Sequence, residues 1–163
     1  MQWEYLFLAV MSAGIVLLFL FGIRIVKRSA NKRIAQFKIL CTSNGIHPDL
    51  YEFFSNRAIG VDYKAGKILF VHFNGDSFHN SILNVSEVES CDIEKQDNEN
   101  RITHAIWLNC GMRNRTTIRM NFYNAVADNH FDSTHIIRKA SYWRKKINQL
   151  KQLDELSLQQ FRN

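Results

Sequence analysis

Residues 67–83, KILFVHFNGDSFHNSIL, set His72, Asp76 and His79 within eight positions around an Asn-Gly pair. Imidazoles beside a carboxylate suit metal ligation or proton transfer, provided the backbone brings them to one face. With a two-residue turn at Asn74-Gly75, Phe70 lies opposite His79 and His72 opposite Ser77. With a four-residue loop, His72 lies directly opposite His79. Both registers put the two histidines on one face of a hairpin, because side chains alternate along each strand. A metal still needs a third ligand there, and Asp76 falls in the turn. His104 alternates with Ile102, Ile106 and Leu108, which predicts a histidine on a core face with a hydrogen-bond partner. These residues are read as ordinary sheet histidines. No catalytic residue, metal or cofactor is assigned, and the chain is read as not an enzyme.

Nucleophilic chemistry finds less support. The sequence has no G-x-S-x-G, no P-loop and no H-E-x-x-H. Cys41, Cys91 and Cys110 form an odd set without C-x-x-C spacing, so neither a disulfide framework nor a zinc ribbon is indicated. Six strand residues separate His104 from Cys110 by about 20 Å, too far for a hydrogen-bonded pair.

Two charged clusters remain. Glu87, Glu89, Asp92 and Glu94, followed by Asp97 and Glu99, are heavy for one strand and its turn. Read as a plain alternation, their carboxylates fall on both faces, as expected of an edge strand protected by charge or of an acidic docking surface. Arg113, Arg115 and Arg119 lie near Trp107, Phe122 and Tyr123 in sequence. Arginines among aromatics can stack on single-stranded nucleic acid, but a solvated loop above core aromatics is favoured, and nucleic acid is not the expected partner. The two clusters together are the expected partner surface.

The elements that must position these residues divide into an apolar start and a β-rich remainder. Residues 5–23, YLFLAVMSAGIVLLFLFGI, contain no charge, Asn, Gln or Pro, and as a helix reach roughly 29 Å, the thickness of a bilayer core. Trp3 and Tyr5 precede or open the run, and Arg24, Lys27, Arg28, Lys32, Arg33 and Lys38 follow it without an acidic residue among them. A single transmembrane anchor is expected, and the positive-inside tendency puts the N-terminus outside and the remainder in the cytoplasm of a single-pass inner-membrane protein. Free thiols fit that reducing side. Arg24, Lys27, Arg28, Lys32 and Arg33 are then membrane-surface residues facing anionic lipid. The juxtamembrane cations alone equal the formal net charge of +6, so the basic pI does not argue for DNA. Ala9-x-x-x-Ala13, with Ser12 and Gly14, permits close helix approach and homo-oligomers through the anchor.

Residues 24–42 are read as a continuation of that helix, stopped by Asn44-Gly45. A short helix is expected from His47-Pro48-Asp49 through Phe54. Then the apolar period becomes two. Lys64-Ala65-Gly66 reads as a hairpin loop with Gly in the left-handed position, and further β-like runs cover residues 77–83, 85–94, 102–110 and 116–123. Six to seven antiparallel strands with no helix between them predict a barrel or sandwich built as a meander. Finally Ile136, Ile137, Ala140, Trp143, Ile147, Leu150 and Leu153 form one helical stripe. Arg138, Lys139, Arg144, Lys145, Lys146 and Lys151 occupy the rest of that helix, with Ser133 or Thr134 as the expected cap.

The meander closed by one helix, with Ile59-Gly60-Val61-Asp62, Gly66-Lys67-Ile68 and residues 82–89 (ILNVSEVE), resembles small bacterial membrane proteins with a pleckstrin-homology-like (PH-like) domain. Asn121-Phe122-Tyr123 and Tyr142-Trp143 with Ile147 resemble the same pattern. The resemblance covers roughly residues 58–153 and implies a bacterial PH-like domain tethered to the inner membrane, with no catalytic residues to carry over. The first hairpin offers only Lys64 and Lys67, with an Asp62, so it departs from the basic hairpin of phosphoinositide-binding members. The expected fold is thus an N-terminal transmembrane α-helix (1–26) and a basic helix and linker (27–56). An α+β PH-like barrel or sandwich closed by an amphipathic helix (57–155) and a tail (156–163) follow. The expected function is binding of a protein partner or the membrane surface. The alternatives are an accessory subunit of a larger bacterial assembly (secretion, envelope stress or phage defence) and a metal-dependent enzyme at the His72/His79 face.

Overall fold

A computed structural model describes residues 2–75, 77–97, 99, 102–128 and 133–160; among these, the side chains of residues 2, 4–10, 12–13, 25, 155 and 157–160 lie outside the description. The chain divides into two compact units, Met1–Leu40 and Cys41–Asn163.

The first unit belongs to one long helix, α1 (Gln2–Ser43). The transmembrane expectation is corrected here: among the described residues no helix is long and apolar enough to cross a membrane. α1 runs on past Arg24 through the cations of residues 24–38 to Ser43. The single-pass topology, the inner-membrane placement and the outside N-terminus fall with the anchor. Of the small-residue pattern, Ala9, Ser12 and Ala13 lie outside the described side chains. Arg24, Lys27 and Arg28 share one side of α1 and are exposed, Lys32 is exposed and Arg33 is half-buried.

α1 ends where the sequence breaks it. Gly45 adopts φ +61°, Ile46 N–H donates to the Cys41 carbonyl at 2.9 Å, and Gly45 N–H donates to Thr42 O at 3.1 Å. This pair of bonds satisfies carbonyls that the last turn would leave open. Ile46 is buried, the apolar contact that usually accompanies such a stop.

The second unit holds seven strands among the described residues, in two open antiparallel sheets. β1 (Leu50–Phe54), β2 (Arg57–Asp62), β3 (Lys67–Asn74) and β4 (Ser77–Asn84) pair in that order. A short 3-10 turn (Val85–Glu87) leads to β5 (Val88–Asp97), β6 (Thr103–Met112) and β7 (Thr117–Asn124), the second sheet. α2 (Ser133–Gln160) closes the chain. The fold-class expectation, a membrane helix followed by a PH-like barrel or sandwich, is therefore corrected: the strands form two separate open sheets, with β1 and β5 each on an edge.

The sheets meet through aromatic packing. Phe122 of β7 stacks on Phe54 of β1 at 5.1 Å and on Phe70 of β3 at 5.6 Å. Ile136, Ala140, Trp143, Ile147 and Leu150 bring the apolar side of α2 into the same core, while Leu153 at the end of the expected stripe is exposed. Ser133 and Thr134, the expected caps, both lie within α2 as it begins at Ser133, and residue 132 lies outside the described residues.

Residues 50–54 form a strand, not the expected helix. Tyr51, Phe53 and Phe54 suit a pleated, half-buried surface, and so short an apolar run carries no period that separates the two states. The expected basic helix and linker (27–56) thus ends inside the β-rich unit. Asp62 helps place it: its carboxylate accepts the His47 and Ala65 N–H groups, each at 2.8 Å, while the neighbouring Asp49 accepts Tyr63 N–H. The Ala65 and His47 bonds hold the Asp62 carboxyl below the ordinary carboxylate range.

Candidate binding site

The hairpin histidines adopt the second of the two registers. His72 pairs with His79 and Asn74 with Ser77, and Gly75, at φ +60°, follows β3. Asp76 lies outside the described residues. His72 sits at the rim of the inner face and is half-buried, and His79 is exposed. Among the described residues no three His, Cys, Asp or Glu side chains converge. His104 is exposed, not on the core face, because Gln96 pairs with Ala105 and Asp97 with Thr103, which makes His104 the bulged residue of β6.

Beside His72 lies a polar cluster without a signal in the local sequence. Arg57, fully buried, donates from Nη1 to Asp128 at 2.8 Å and from Nε and Nη2 to the Asn121 backbone and side-chain oxygens. Asp128 also accepts the Ser55 hydroxyl at 2.5 Å and the Asn124 N–H at 2.8 Å. Burial works against its charge, yet the Arg57, Ser55 and Asn124 bonds together hold its carboxyl below the ordinary range. Burial first, then the Arg57 charge, push His72 below the ordinary imidazole range, with Asp128 opposing and His79 adding to the effect. The three Arg57 nitrogens and both Asp128 carboxylate oxygens are engaged, so the cluster joins β2 to β7 and the segment after it.

The charged clusters of β5–β7 are brought together rather than presented separately. A register irregularity between Val88 and Ser90 breaks the expected alternation. Val88 and Cys91 face inward, while Glu89, Asp92 and Glu94 are exposed, and Glu87 falls in the 3-10 turn. Glu94 accepts Arg119 at 2.7 Å and the Asn109 amide at 2.7 Å, and the Arg119 guanidinium lies 4.2 Å above the Trp107 ring. Arg113 and Arg115 are exposed in the β6–β7 turn, where Arg115 takes φ +66°. The expected acidic and basic surfaces thus partly neutralise each other across one sheet.

A groove of about 550 Å³ opens elsewhere, between β1 and α2. Its walls include Tyr51 and Tyr142, 51% and 45% exposed. On its floor one Glu52 oxygen is ion-paired with Lys139 and the other accepts Trp143 Nε1–H at 3.0 Å. Trp143 is itself fully buried, so Glu52 is held from beneath by the core. Arg138 and His135 complete the rim, both exposed, and neither forms an ion pair among the described residues. Lys145 and Lys146 continue the basic side about two turns on from Arg138, with Lys146 over the Tyr142 ring at 5.8 Å. Among the described lining residues Glu52 is the only carboxylate, and both its oxygens are engaged. The groove therefore presents cationic donors and half-exposed rings.

Sequence reasoning found the basic side of α2 and the Trp143 stripe but not the groove. Reading residues 50–54 as a helix removed its other wall. A usable signal was present in the aromatics Tyr51, Phe53 and Phe54 beside a lone Glu52, a strand-like composition with one carboxylate on the side that meets Lys139. No family model, curated protein or solved structure matches this chain.

Proposed function

We propose that the β-rich unit is a binding module that takes an acidic segment of a protein partner into the groove between β1 and α2. One observation carries the reading: a concave, ring-walled groove whose carboxylate is already neutralised, leaving the Arg138 charge and the His135 imidazole at the rim to be answered. Carboxylates of the partner would meet that rim, and an apolar side chain between them would cover Tyr51 and Tyr142. Half-exposed tyrosines give a large contact area at low entropic cost. A concavity favours a chain segment over a planar lipid surface. The reading agrees with the binding role that the PH-like resemblance implies but does not rest on it.

Selection of a random peptide library on the full chain tests this. The expected winners carry Asp or Glu on either side of an apolar residue. Arg138→Glu should weaken them at least tenfold, about 1.4 kcal/mol, and Tyr142→Ala should weaken them comparably. Winners without acidic enrichment, or with unchanged affinity for both variants, would contradict the proposal. Binding to anionic vesicles that survives both substitutions would instead point to a lipid surface.

A further inference from the structure

Cys91 and Cys110 are used by nothing described so far. They are register partners on β5 and β6, with side chains directed into the core and sulfurs 2.8 Å apart. Directly opposed residues on antiparallel strands hold their Cα atoms at about 4.5 or 5.5 Å, inside the range of roughly 4.4–6.8 Å that a disulfide bridges. Both are free thiols. They differ in setting. Cys91 lies on an edge strand, 5% exposed and next to the Val88–Ser90 irregularity, while Cys110 lies on the central strand and is fully buried. The hydrogen bond to Cys91, and then burial, keep the Cys110 thiol protonated far above its ordinary range.

We propose that Cys91 and Cys110 form a modification site for a peroxide, which closes them into a cross-strand disulfide. Hydrogen peroxide is small and neutral enough to reach a sulfur that edge-strand opening exposes. The Cys91 thiolate, its proton lost to water, attacks one peroxide oxygen. The O–O bond breaks, Cys91 becomes a sulfenic acid by losing two electrons, and the departing hydroxide takes a proton and leaves as water. Cys110 sulfur then attacks Cys91 sulfur, the S–O bond breaks, and hydroxide leaves as water with the Cys110 proton. Two thiols and one peroxide give one disulfide and two waters. The bond ties the acidic edge strand to its neighbour and removes the slack through which β5 opens.

Peptide mapping of the full chain after hydrogen peroxide treatment, unfolding and alkylation decides the matter. The expected product is a peptide pair joined through Cys91 and Cys110, lighter by two hydrogens than the two thiol peptides and separated again by dithiothreitol. Cys41→Ser should give the same yield. In Cys91→Ser, Cys110 should oxidise at least tenfold more slowly than the pair does in the unaltered chain. Recovery of both cysteines as alkylated thiols, or as separate sulfinic or sulfonic acids, would overturn the proposal. So would a product joined mainly through Cys41, or a Cys110 that oxidises equally fast without Cys91.

Discussion

Ser55 occupies the left-handed region at φ +49°, where a side chain costs roughly 1–2 kcal/mol, and its hydroxyl is bonded to the buried Asp128. The two facts make opposite substitutions informative. Ser55→Ala keeps the strain and loses a hydrogen bond to a charged group, so it should destabilise by about 1.5–3 kcal/mol in urea unfolding. Ser55→Gly loses the same bond but relieves the strain, and should cost less than the alanine variant. An equal cost for both would mean that the backbone conformation carries no penalty. His72 offers a pH test. Its folded state binds a proton less readily than an unfolded imidazole, given the burial and the Arg57 charge that outweigh Asp128. The unfolded chain therefore binds more protons as pH falls below about 6.5, and stability should decline through that window while staying level above it. His72→Gln should flatten the decline, and an unchanged slope would contradict the assignment. At this scale the sequence was legible where spacing decides, as in the shared face of His72 and His79. It was silent on Arg57 and Asp128, 71 positions apart, because nothing local announces a partner so distant.

At the level of elements, the Arg57–Asp128 pair joins the sheet of β2 to the segment after β7 with side chains 0% and 1% exposed. Removing one partner leaves a buried charge alone. Asp128→Asn or Arg57→Met should each cost about 3–5 kcal/mol, and the double substitution should cost clearly less than the two together. Additive losses would show that the two groups act independently. The helical stripe of α2 was readable because a 3.6-residue period persists from Ile136 to Leu150. β1 was misread because five residues are too few to show a period, and its partner β2 decides its state. β5 and β6 were read with the right type, and Ile106 and Leu108 with the right face, but bulges at Glu89 and His104 change the phase beyond them and alternation alone does not reveal one.

For the whole molecule, charge is distributed in a way that its total of +6 conceals. Six of the 21 cations lie in residues 24–38, and Glu4 is the one acid before residue 41, so Cys41–Asn163 is nearly neutral. Within that unit the signs separate, with cations along α2 and acids along β5. The apolar opening of the sequence invited a membrane reading, yet among the described residues no helix is long and apolar enough to cross a membrane, and α1 continues through the cations of residues 24–38. The central claim concerns the groove of the β-rich unit. Hydrogen exchange on the full chain, with and without a saturating acidic peptide from the library selection, tests it most directly. The account predicts slowed exchange in β1 and in the first half of α2. Slowing confined to β5, or to the basic residues 24–38, would contradict it.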